Sequence, residues 1–190
     1  MRLPVIVALV GRARCGKDSA ARTIAGSAEG VKVAKLSAPV KAAACSLFGL
    51  APDDVEGPQK DSPHPACAAL GEGASPRTAV VWLTEACKER MGDAFFSRRA
   101  FDAAASASQQ RTTVFTDVRS QADVDDVLRR GGMVLKIVRP TRCGGSAFPW
   151  EDSIDCIHHD AIVVVYNDRD EDTLARRVAD AVRGYTWTEC

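Results

Sequence analysis

Gly11, Gly16 and Lys17 are the residues whose types and spacing point most directly to chemistry. They sit in Gly11-Arg12-Ala13-Arg14-Cys15-Gly16-Lys17-Asp18-Ser19, which follows the apolar run Val5 to Val10 and leads into an alanine-rich stretch. A strand, a glycine-bounded loop and a helix start, in that order, make a cradle for phosphate. The backbone N–H groups turn inward, and the helix presents its positive end to the same point. Lys17 then reaches the outer phosphates of a nucleotide. The alternative is a structural turn with an exposed lysine, which has no need of the strand before it or the helix after it. Such a loop ordinarily continues with Ser or Thr, whose hydroxyl binds Mg²⁺. Here Asp18 holds that place and Ser19 follows, so these two are the loop's candidate magnesium ligands, directly or through water.

Further charged residues recur where β-forming runs end. Thr112 to Thr116 is followed by Asp117-Val118-Arg119. An Asp at the tip of a buried strand beside a phosphate loop is the type of group that orients Mg²⁺ and its waters; its other reading is a cap for a helix over 121–130. Met133 to Val138 is followed by Arg139-Pro140, then Arg142 and Gly144-Gly145. That is the make-up of a lid over 139–153 that closes on a triphosphate. Val31 to Leu36 is followed by Ser37-Ala38-Pro39-Val40-Lys41, where Ser37 can cap a helix that Pro39 starts. Lys41 is either a partner for a substrate phosphate or a solvated helix lysine. Ser75-Pro76-Arg77 opens another helix, with an arginine of the type that forks onto phosphate.

Other polar residues read more plainly. Arg98 and Arg99 form a solvated face. His64, between two prolines, is a surface residue without a partner. His158 and His159 point to opposite faces of extended chain and cannot share a metal. Cys15 is a small neutral filler inside the loop.

For the charged groups to meet, strands over 5–10, 31–36, 112–116, 133–138 and 161–166 must alternate with helices, among them 17–28, 121–130 and 171–183. A strand apolar on both faces, such as Val5 to Val10, belongs in the middle of a parallel sheet. Right-handed crossovers then bring every strand's carboxyl end to one edge. The expectation is an α/β fold with a five-stranded parallel sheet, a single domain over 1–190. The Pro-, Gly- and Asp-rich stretch 49–75 is expected to be a mobile loop on the substrate side.

Composition sets the bounds. The 190 residues are 46% apolar and 26% charged, with 25 Lys plus Arg against 25 Asp plus Glu. The lack of a basic excess excludes a dedicated nucleic-acid binder. No stretch approaches the ~20 apolar residues of a membrane span, and the N-terminal apolar run is too short for a secretory signal. Seven cysteines are scattered singly, with no Cys-x-x-Cys pair, so free thiols in a reducing compartment and no zinc site are expected. The expected location is the cytoplasm; a homodimer stays open.

The loop Gly11 to Ser19 resembles the Gly-Lys-Asp-Thr phosphate loop of the deoxynucleoside monophosphate kinases of phages and large viruses. Leu36 to Lys41 is similar to that family's substrate segment after the second strand. Phe48-Gly49 with Gly57 and Lys60-Asp61, Ser75-Pro76-Arg77, Thr116 to Arg119, Gly131 to Pro140 and Ala161 to Asp168 are similar to its later segments in order.

The resemblance implies a P-loop kinase-like three-layer α/β/α fold and transfer of the γ-phosphoryl of ATP to a nucleoside 5′-monophosphate with Mg²⁺. It implies ATP held by Gly11, Arg12, Ala13, Arg14, Cys15, Gly16, Lys17, Asp18 and Ser19. The acceptor falls to Ser37, Val40, Lys41, Arg77 and Arg119, the metal to Asp18, Ser19 and Asp117, and a lid role to Arg139 or Arg142. The partner implied is a small nucleotide, with neither a nucleic-acid polymer nor a membrane. A virus-encoded enzyme would act inside the host cell. Animal-type phosphomevalonate kinases share the Gly-Lys-Asp loop, a Pro-x-Lys segment and an Asp-x-Arg after the third strand. The fit over Gly131 to Pro140 and at Asn167-Asp168 favours the nucleotide kinase. A reading of another class, a nucleotide-binding module without catalysis, is permitted by Asp18 and opposed by the full set of Lys17, Asp117 and arginines.

Overall fold

The computed structural model describes residues 3–106, 112–140 and 150–185. The chain forms two compact units, residues 1–36 with 97–190, and residues 37–96.

The first unit is a sheet with helices on both faces. Its strands are β1 (Ile6–Val10), β2 (Lys32–Ala34), β3 (Thr113–Val118), β4 (Met133–Val138) and β5 (Val163–Tyr166), in the order β2-β3-β1-β4-β5. Every pairing is parallel, with Val7 opposite both Val114 and Met133, and Leu135 opposite Val163. Alternation along the strands divides the core. Val7, Leu9, Leu135, Ile137 and Val165 pack against α1 (Lys17–Ser27) and α8 (Glu171–Arg183) through Ala20, Ala21, Ile24, Leu174, Val178 and Val182. Ile6, Ala8, Val10, Phe115 and Val134 pack on the other face against Phe101 and Ala104 of α5 (Phe95–Ser106) and Val124 and Val127 of α6 (Gln121–Arg129). β1 is central and wholly buried, as its uninterrupted apolar run requires. The chain runs from β1 out to β2, and from β3 across β1 to β4. The order therefore reverses at the carboxyl end of β1, where open α/β sheets bind ligands.

Strand ends differ from the sequence expectation for local reasons. β2 stops at Ala34 because the N–H of Leu36 donates to Asp117 Oδ1 at 2.6 Å and not to a ladder carbonyl. β3 extends to Val118, with its register against β1 shifted between Ala8 and Val10, so Asp117 lies inside the strand's last turn of pleat. β5 begins only at Val163: Ala161 N–H donates to His159 Nδ1 and Ile162 N–H to the His159 carbonyl. The helix α7 (Trp150–Asp155) departs from the sequence expectation, in which most of the same residues form part of a lid.

The second unit holds α2 (Ala38–Phe48), α3 (Pro52–Glu56), two 3-10 turns (Pro58–Asp61 and Pro65–Leu70) and α4 (Pro76–Met91). The stretch 49–75, expected to be irregular, is thus largely short helices, and Leu50, Val55, Cys67 and Ala74 from it form a small core with Ala79. Prolines at the first helical positions, where no N–H is needed, start these turns. His64 has partners after all: its Nδ1 accepts the Ala66 N–H at 3.2 Å, and its Nε2 lies 3.8 Å from Asp54. Ser75 and Thr78 form a reciprocal capping box at the start of α4. Ser37, by contrast, does not cap α2 with its side chain; its carbonyl accepts the Lys41 N–H at 3.0 Å.

Among the described residues, no helix is long and apolar enough to cross a membrane, and Cys15, Cys45, Cys67, Cys87 and Cys156 are free thiols.

Candidate functional site

The loop between β1 and α1 has the conformation its glycines permit. Gly11 and Gly16 adopt φ of 152° and 109°, and a Cβ on Gly16 would stand 2.6 Å from Asn167 Nδ2. Arg14 is the one described non-glycine residue at positive φ, 58°. Such backbone persists only where surrounding contacts over-determine it. The amide groups of Gly16, Asp18 and Ser19 have no protein acceptor among the described residues. They stand at the positive end of α1 as donors for an anion. Lys17 Nζ donates to the carbonyls of Gly11 and Arg12, both at 2.6 Å, and lies 3.7 Å from Cys15 Sγ. Its ammonium is thus held at the loop by weak acceptors that phosphate oxygens would outcompete. Cys15 is buried, and burial pushes its thiol up against the opposing influence of Lys17, so it remains a neutral filler near pH 7.

Two residues that the sequence reading gave no part in shaping the loop hold it in place. Asn167, buried at the end of β5, donates from Nδ2 to the Cys15 carbonyl at 2.8 Å. Its signal in the sequence is only its position directly after an apolar strand. Asp155, at the end of α7, receives the Arg12 guanidinium, Nη2 to Oδ2 at 2.7 Å; nothing in the sequence marks it.

Asn167→Ala should leave the Cys15 carbonyl unsatisfied and destabilise the protein by about 1–3 kcal/mol. Urea unfolding checks the stability, and nucleotide titration should show weaker binding as the loop loosens.

The hydrogen bond from Arg12 is the main cause holding the Asp155 carboxyl below its usual range, with the Arg12 charge adding to it. A carboxylate whose folded value is depressed stabilises the fold above its ordinary value, and that contribution disappears as pH falls through the depressed one. Asp155 is 59% exposed, so solvent screening keeps the contribution under about 1 kcal/mol. The urea midpoint of the wild type should exceed that of Asp155→Asn at pH 6, and the gap should close on acidification below about pH 4.

The other expected site residues divide between the units. In the first unit, parallel strands put the loop, Asp117 in the last residues of β3, Arg119 just after β3, Arg139 after β4 and Asn167 after β5 at one edge of the sheet. Asp117 is half-buried and ties β3 to the end of β2 through Leu36. It does not cap α6; Ser120 does, accepting the Asp123 N–H. Arg139 is half-buried. Arg119 is exposed on a cleft of about 310 Å³ shared with Ser120, Gln121, Ser153, Cys156 and Ile157. Asp18 is exposed, and the Ser19 hydroxyl accepts from Arg22 at 3.0 Å. Arg142 lies outside the described residues.

In the second unit, Lys41 pairs with Glu56 at 2.7 Å and Arg77 with Asp61. Val40 is buried.

Among the described residues there is no cluster of three or more His, Cys, Asp or Glu able to hold a metal. Asp18, Ser19 and Asp117 offer oxygen atoms, the donor type a hard cation would take.

No protein-family model matches the chain, and no curated protein matches it in sequence. Solved structures do match. The tunicamycin resistance protein of Deinococcus radiodurans superposes with a TM-score of 0.50, covering 100% of both chains at 15% identity. At that identity the likeness is one of fold. With the loop Gly11 to Ser19 after the central strand of an all-parallel five-stranded sheet, this chain has a P-loop kinase-like α/β fold.

Proposed function

We propose that the chain transfers the γ-phosphoryl of ATP to a nucleoside 5′-monophosphate, with deoxynucleotides as the first acceptors to try, and with Mg²⁺ as cofactor. The observation that carries the reading is the loop: open amides at Gly16, Asp18 and Ser19, with Lys17 poised on the loop's own carbonyls. Phosphoryl transfer asks little of a protein beyond positioning and neutralising charge. In this reading the loop amides and Lys17 take the β- and γ-phosphates. Arg139 adds positive charge from the same sheet edge, and a lid role for Arg142 is assigned on the sequence resemblance. Asp117, Asp18 and Ser19 would hold magnesium, directly or through water, and a bound ion would supply neutralising charge to the phosphate oxygens. Lys41, Arg77 and Arg119, with Ser37 and Val40 beside Lys41, are assigned to the acceptor on the sequence resemblance.

The test is coupled ADP release with ATP, Mg²⁺ and an acceptor panel: the four deoxynucleoside monophosphates, their ribose forms, phosphomevalonate, and tunicamycin on account of the fold neighbour. Turnover on one or more nucleoside monophosphates supports the proposal. Turnover on phosphomevalonate alone moves the acceptor and keeps the loop chemistry. ATP binding without turnover on any acceptor contradicts the kinase and leaves a binding module.

A further inference from the structure

The phosphate loop contains a residue in a backbone conformation that side chains seldom adopt, so its shape depends on contacts from outside it. One of these is built on a firm base. Arg12 Nε lies 3.2 Å from both carboxylate oxygens of Asp155, and Nη2 lies 2.7 Å from Oδ2. Asp155 ends α7, and that end is pinned to the sheet: Lys136 Nζ donates to the carbonyls of Asp155 at 3.0 Å and Ile157 at 2.7 Å. Ile154 and Ile157 on either side are buried. Held at more than one point, a planar guanidinium fixes direction as well as distance. On its backbone side the same Arg12 offers the carbonyl that accepts Lys17 Nζ and the Cys15 N–H. The chain of contacts runs from sheet to α7, from α7 to Arg12, and from Arg12 to the lysine.

We infer that Asp155 is a positioning residue for the phosphate loop: through Arg12 it holds the carbonyl on which Lys17 rests, and so sets the loop's affinity for ATP. The affinity part rests on the reading that this loop binds ATP; the positioning part does not.

The experiment therefore has two readouts, hydrogen exchange of the loop amides in the free protein and titration with ATP. They are applied to wild type, Asp155→Ala, Asp155→Glu, Arg12→Ala and the double alanine variant. For a pair at the surface, Asp155→Ala should raise loop exchange and the ATP Kd by about two- to fivefold, with the exchange of the central strands changed only as far as the small loss of global stability accounts for. Asp155→Glu should recover part of both effects, and Asp155→Ala should add nothing once Arg12 is alanine.

Unchanged loop exchange in Asp155→Ala, or an equal effect with Arg12 absent, overturns the inference. If exchange follows the pattern but wild type binds no ATP, the positioning role stands and the proposed function fails. If ATP binds equally well to all variants and exchange is flat, the inference fails and the function stands.

Discussion

Lys17→Ala should lower kcat/KM for ATP-dependent transfer by about 10²–10³, the effect of removing one preorganised charged donor from a developing phosphoryl charge. Both binding and turnover should fall, because the ammonium meets oxygens that carry charge in the ground state and more of it in the transition state. The fold should survive. In the free protein the ammonium bonds to the Gly11 and Arg12 carbonyls and makes a longer approach to Cys15 Sγ. Removing it costs about 1–3 kcal/mol, less than the 5–15 kcal/mol that typically holds a domain together. Steady-state kinetics beside a urea melt separates the two effects. A variant that is stable and fully active would remove Lys17 from the chemistry.

Gly11→Ala should be the more damaging change to structure. A Cβ at Gly11 would lie 2.5 Å from the Ile137 carbonyl oxygen and 2.6 Å from Cys15 Sγ, at a φ of 152°. The first neighbour is the backbone of β4 and cannot turn aside; the second is buried in the loop. Overpacking and backbone strain each cost about 1–3 kcal/mol. Gly49 is the control: its φ is 68°, but nothing lies within 4 Å of an added Cβ, so Gly49→Ala should cost only the left-handed backbone term of about 1–2 kcal/mol. Thermal and urea unfolding of the two variants should rank them in that order. Equal losses would mean that close approach to β4 contributes nothing at Gly11.

The difference between these glycines shows where the sequence is legible. Periodicity locates the five strands and the long helices: the buried β1 leaves an apolar run that nothing else explains at that length, and the exposed edge strand β2 an alternation of apolar and polar residues. The loop between β1 and α1 is legible as a turn from strand to helix because glycine, lysine and context coincide within nine residues. The stretch 49–75 reads as a loop because its prolines and glycines start and stop short helices, and composition alone does not separate that use from irregular chain. His64 reads as partnerless because one of its partners, Asp54, lies ten residues before it, across a turn the composition conceals. Long-range partners leave no local trace. Asp155 lies 143 residues from Arg12, and Asn167 lies 152 from Cys15. Their bonds exist only once the sheet has brought the ends of β1, β4 and β5 together. Asp117 is legible as a polar group at a strand tip, while its bond to Leu36 joins residues 81 apart in the chain, which no local pattern announces.

In the proposed function this loop carries ATP into transfer onto the phosphate of a nucleoside monophosphate. Phosphorus NMR on a mixture of protein, ATP, Mg²⁺ and a deoxynucleoside monophosphate observes the bond that forms. The acceptor's single phosphate resonance should give way to the α and β pair of a diphosphate, in step with ADP and without free phosphate. Release of inorganic phosphate with every acceptor resonance unchanged would contradict it.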